Sequence, residues 1–240
     1  MNYYAYRKKI GILRRLKNIS ITAWLIALTT IISITALILI KAYCPAISDA
    51  CSVLDFLALK PSNILQGKFL WTLILHMFVH GGITHLFVNM FVLFSLGGLI
   101  ERIIGKKRYF WFYILSGLFA GVLSVLLASF LGNTELGARI FGSPEIFMVG
   151  ASGAIFAIAG LYVMLLPKIR FMIIFLPFFT LPAYIMIPLA LFGVWLATIL
   201  TGLPIGNVAH FGGFLAGVTY GLYLRAKYKR KVKILQKMFR

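Results

Sequence analysis

Residues 19–40 run for 22 positions without one charged side chain. A helix of that length crosses the hydrocarbon core of a bilayer, and it exceeds the apolar core of a cleavable leader, about 7–15 residues. Five more apolar runs follow, at 84–100, 109–131, 151–166, 183–200 and 208–224. Together they predict an all-α, polytopic membrane protein with six transmembrane helices. The run at 151–166 is short for a lipid-exposed helix, so neighbours are expected to surround it. Residues 171–200 are too long and too rich in proline (Pro177, Pro182, Pro188) for one helix. The fifth span is therefore placed at 183–200, with 171–181 as an interfacial segment. Residues 71–79 are apolar but short and end at His80-Gly81-Gly82, and 132–149 reads as a glycine-rich loop.

Charge sets the orientation. The net charge is +19, with 61% hydrophobic residues and a mean hydropathy of +0.97. Such a balance in a soluble chain points to nucleic acid, but here the basic residues flank the apolar runs. Twenty of the 24 lysines and arginines fall in four segments on one side of the predicted membrane. That bias puts both termini in the cytoplasm and makes nucleic acid an unneeded partner. The chain divides into a basic N-terminus (1–18), a membrane domain (19–224) and a basic tail (225–240). A cell-membrane location, with lipid as a partner, is the expectation. Cys44 and Cys51 fall on the outer side, where a disulfide and two separate thiols are both open.

The polar residues gather at one depth. By this topology His85 and Asn89 lie in the first turns of the second span. Ser152, in Gly150-Ala151-Ser152-Gly153, opens the fourth, and His210 lies early in the sixth. Ionisable groups at such depth are rare and usually face an interior cavity. A serine hydroxyl is a weak nucleophile until a base takes its proton and donors stabilise the oxyanion. His210 supplies a base. His85 and Asn89, four residues apart, share a helix face and supply donors beside the Ser152 amide. Taken singly, each is more often a helix-bridging polar group. Gly213, Gly217 and Gly221 recur every fourth residue on the His210 face, and Gly150, Gly153 and Gly160 mark the fourth span. Small stripes let membrane helices approach closely, and that approach brings Ser152 to His210.

These residues resemble the rhomboid family of intramembrane serine proteases. The resemblance rests on Gly150-Ala151-Ser152-Gly153, Ala209-His210-Phe211-Gly212-Gly213, His85-Leu86-Phe87-Val88-Asn89, and Gly97-x-x-x-Glu101-Arg102. It covers Leu59 to Leu224 and departs at Trp71, which Thr72 follows where the family commonly has arginine. The resemblance implies a Ser152–His210 dyad, nucleophile and general base, that cleaves the transmembrane helices of single-pass proteins near their outer end. It implies His85, Asn89 and the Ser152 amide as oxyanion donors, and Glu101 and Arg102 as a structural clamp on cytoplasmic loops. It also implies that His76 and His80 support the first loop. Their i, i+4 spacing suits a metal, but a metalloprotease HExxH motif needs Glu where Met77 stands. No metal or other cofactor is expected. The rival readings are a rhomboid-like protein that binds membrane clients without cutting, and a transporter. The latter predicts inverted repeats, and none is visible.

Overall fold

The structure, a computed structural model, describes residues 19–44, 52–173, 176–202 and 206–239. The segment 1–18, Asp49 and Cys51 lie outside them; Cys44 is disulfide-bonded. The helices are α1 (Ile21–Tyr43), α2 (Ser52–Leu57), α3 (Pro61–Leu65), α4 (Thr72–Leu75), α5 (Ile83–Ile104), α6 (Lys106–Leu131), α7 (Glu135–Phe141), α8 (Ser152–Leu165), α9 (Ala183–Thr201), α10 (Asn207–Lys227) and α11 (Lys229–Met238). A single 3₁₀ turn, His76–Phe78, follows α4. Helices α1, α5, α6 and α9 are long and apolar enough to cross a membrane. Helix α8, 14 residues, is shorter; α10 has 21 residues but a less apolar composition. The fold is that of a polytopic membrane helical bundle.

Two segments differ from expectation. Residues 171–181 are not a plain interfacial stretch but most of a hairpin, β1 (Arg170–Ile173) against β2 (Leu176–Pro182), pairing Arg170 with Pro182 and Phe171 with Leu181. Proline has no N–H to give a helix interior, so this run is better satisfied as paired strands. Arg170 closes the hairpin, its Nε donating to Thr180 Oγ1 at 2.8 Å. The loop at 132–149 contains α7, whose cap Thr134 accepts from the Gly137 N–H at 3.0 Å.

Glu101 ties the start of α1 to the foot of α5. Its carboxylate accepts from the Ile21 and Thr22 amides at 2.8 and 2.9 Å and from the Thr22 hydroxyl at 2.8 Å. The first-turn amides of a helix have no helical acceptor and favour negative charge, so this buried acid serves as a remote cap. Arg102 beside it is exposed and joins no ion pair among the described residues.

The centre of the bundle is α8, which is buried along nearly its whole length. Its neighbour α10 lies against it almost backbone to backbone. A Cβ on Gly213 would collide with the Gly153 carbonyl, and one on Gly217 with the Ala157 carbonyl. A Cβ on Gly160 would come within 2.6 Å of the Phe214 carbonyl. The seam exists only because these positions lack side chains, as the small-residue stripes required. On the other side Leu93, Ile100, Tyr109, Tyr113 and Tyr162 fill the core, and the Tyr162 hydroxyl donates to the Leu96 carbonyl at 2.9 Å.

Candidate active site

The turn before α8 is held from the first loop. Leu59 and Met148 exchange backbone hydrogen bonds at 3.0 and 2.8 Å. Gly150 then takes a φ of +125°, open to glycine and strained for other residues. Its N–H donates to the His76 carbonyl at 2.9 Å. The next amide, Ala151 N–H, donates to His80 Nε2 at 3.3 Å.

The protons in this chain of bonds can be assigned by counting. The Ser33 hydroxyl on α1 has one proton and donates it to the Phe78 carbonyl at 2.8 Å. Its 2.9 Å contact with His80 Nδ1 must therefore be a bond from Nδ1–H to the serine oxygen. His80 is then neutral, with Nε2 as the acceptor that Ala151 requires. A side chain on the first helix thus fixes a histidine tautomer that fixes the turn carrying Ser152.

Above this turn, Ser152 Oγ and His210 Nε2 are 2.8 Å apart. The His210 ring is buried and stacks on Phe156, one turn along α8 from Ser152, with centroids 4.7 Å apart and planes at 30°. His210 Nδ1 is buried and has no hydrogen-bond partner among the described residues. The described acids are all engaged elsewhere. Glu145 pairs with Lys60 at 2.8 Å, Glu135 with Arg139 at 2.8 Å, and Asp55 accepts from Asn63 at 2.6 Å. Glu101 is committed to α1. The Lys60 hydrogen bond holds the Glu145 carboxyl below its ordinary range, so that acid is ionised and tied to the loop surface.

His85 leans over the same turn. A Cβ on Gly150 would sit 3.0 Å from its ring, so glycine is needed there for space as well as for φ. One turn on, Asn89 is buried and its amide donates to the His85 carbonyl at 2.9 Å, which leaves one N–H for a ligand. Ser152, His210, His85 and Asn89 all line one cavity of about 1020 Å³. The cavity extends between α5, at Val92 and Leu96, and α9, at Met186 and Ala190.

All four residues singled out from sequence therefore meet. Ser33, His80 as a partner of Ala151, and Phe156 were not singled out for this site. Ser33 did leave a trace, since Thr22, Thr29 and Ser33 are the polar residues of α1 that are buried. His76 and His80 do not face a common ligand. His76 Nδ1–H donates to the Thr72 carbonyl at 2.8 Å, and no group of metal-ligating side chains occurs among the described residues.

The Rhomboid domain family model matches residues 68–227. RHOMBOID-like protein 5 of Arabidopsis thaliana is 32% identical over 77% of this chain and 62% of its own length. The Rhomboid protease GlpG of Haemophilus influenzae is 28% identical over 67% of this chain and 73% of its own length. The human presenilin-associated rhomboid-like protein, mitochondrial, is 32% identical over 63% of this chain. This chain spans 62% and 37% of the length of the Arabidopsis and human proteins, less than two thirds in each case. The chain belongs to the rhomboid family.

Proposed function

We propose that this protein is an intramembrane serine endopeptidase that cuts the transmembrane helices of single-pass membrane proteins near their outer end. The observation that carries the reading is the 2.8 Å contact between Ser152 Oγ and His210 Nε2 at the wall of a cavity inside an apolar bundle. In the proposed reaction His210 Nε2 takes the Ser152 proton as Oγ attacks the scissile carbonyl, then returns it to the leaving amine. The tetrahedral oxyanion sits against the Ser152 amide, His85 and the remaining Asn89 N–H. Stacking on Phe156, with no described acid at Nδ1, supports a dyad in which packing, not a carboxylate, orients the base. Substrate helices must unwind at the cut, because helical backbone hides its carbonyls, so small or helix-breaking residues are expected there. The six-span topology with both termini cytoplasmic, in the cell membrane, belongs to the same proposal.

The test is to incubate the purified protein in detergent with a model single-pass substrate beside a Ser152→Ala control. Cleavage by the wild type alone is the expected result. Cleavage that survives in Ser152→Ala refutes the assignment.

A further inference from the structure

After α10 the chain breaks at Tyr228 and turns into α11, of sequence KRKVKILQKM. On a helical wheel its residues separate. Val232, Leu235 and the following Phe239 pack against the bundle, and Gln236 Nε2 donates to the Met164 carbonyl near the end of α8 at 3.3 Å. Arg230, Lys233 and Lys237 lie on the side turned away from that packing face. Ile234 and Met238 occupy the edge between the two faces and stay 60% and 73% exposed. A helix with one face on the bundle, a free apolar edge and a basic outer face suits the plane of a membrane interface.

Among the described residues no ion pair neutralises the charge around α11. Arg108, Lys227 and Lys231 converge on the Tyr228 ring, their charged groups 5.7, 5.9 and 5.9 Å from its centroid. No Asp or Glu follows Glu145 in the chain. Neither ion pair among the described residues involves α10 or α11. Three cations around one neutral ring repel one another unless an anion comes between them.

We propose that α11 and the Tyr228 cluster form a docking surface for anionic phospholipid headgroups in the leaflet where α10 ends. Phosphodiesters neutralise Arg108, Lys227 and Lys231 at the cluster and Arg230, Lys233 and Lys237 along the helix. Ile234 and Met238 enter the acyl boundary beside them. The apolar edge favours lipid over a soluble polyanion, since a nucleic acid or an acidic peptide gives those two side chains nothing to enter. Because α11 also bonds to the end of α8, lipid bound there steadies the base of the helix that carries Ser152.

Backbone amide exchange over residues 229–238 tests this in the full chain, reconstituted in phosphatidylcholine bilayers and in bilayers of phosphatidylcholine mixed with phosphatidylglycerol. The anionic bilayer should slow exchange about tenfold or more, since several basic residues at an anionic surface each add to the attraction. Replacing Arg230, Lys233 and Lys237 together by Gln should remove most of that difference. Ile234→Glu should reduce it with the basic residues intact. Equal exchange in the two wild-type bilayers overturns the proposal, and this pair suffices even where a variant reconstitutes poorly. It is equally overturned if an oligonucleotide or an acidic peptide, added to the phosphatidylcholine sample, protects the helix as well as the anionic lipid does. None of these readouts depends on proteolytic activity.

Discussion

The two sides of the cavity are built in opposite ways. On one side α8 and α10 meet through glycines whose missing side chains are filled by each other's backbone. On the other, α5 and α9 face each other across the cavity through side chains such as Val92, Leu96, Met186 and Ala190. Ser152, Phe156 and His210 sit on the close seam. His85 and Asn89 stand on α5, at the edge of the open side. The difference teaches where precision is needed. A general base must be within hydrogen-bond reach of its nucleophile, so the pair is mounted where helices cannot slide. Under the proposed function a transmembrane substrate would arrive sideways, and entry would fall where side chains, not backbones, define the gap.

Breaking the close seam should have the largest effect. Gly213→Val drives a branched side chain into the Gly153 carbonyl and should cost about 3 kcal/mol of stability, with activity lost alongside. Gly193→Ala, on exposed α9 backbone where a Cβ meets nothing, should stay within about 0.5 kcal/mol. Thermal unfolding of both variants in detergent makes the contrast, and equal effects would erase it. Next, Asn89→Ala should lower turnover by roughly 10²–10³ with the fold intact, as loss of one oxyanion donor does. Full activity in that variant removes Asn89 from the site.

The Ser33–His80 pair sharpens the account of the turn. Ser33→Ala leaves the Phe78 carbonyl without its donor and His80 Nδ1–H without its acceptor, at a cost of about 1–3 kcal/mol. His80→Gln can keep an acceptor for Ala151 and should retain more turnover than His80→Lys, which cannot. Indistinguishable rates in the two His80 variants would show that the Ala151 bond is dispensable. The smallest effects belong to the acids. Glu135→Gln and Glu145→Gln should each keep activity within about tenfold, against about 10⁴ for loss of a triad acid. Glu145 has a lowered pKa in the fold, so the stability from its Lys60 pair is present above the ordinary carboxylate range and is lost on acidification. Turnover abolished by Glu145→Gln in a folded protein would mean that the loop supplies a third member.

Much of this was legible in the sequence because membrane helices write their packing in small residues. The spacing of Gly213, Gly217 and Gly221 identified the face of α10 that meets α8, and depth alone grouped His85, Asn89, Ser152 and His210. Glu101 was legible as a clamp only through the family resemblance; its partner, the start of α1, lies some eighty residues away. The link from Ser33 through His80 to Ala151 escaped notice for the same reason, since no local pattern joins them. The hairpin at 170–182 was missed because a short proline-broken apolar run carries no periodicity that separates strand from interfacial coil. Helix α7 was hidden by the glycines around it.

The central claim is that packing alone activates Ser152 through His210. A fluorophosphonate probe tests it most directly, because it reacts only with an activated serine and needs no knowledge of the substrate. Wild-type protein in detergent should be labelled at Ser152, as identified by peptide mass, and His210→Ala should lose the label while remaining folded. Labelling at another residue, or undiminished labelling of Ser152 in His210→Ala, would contradict the account.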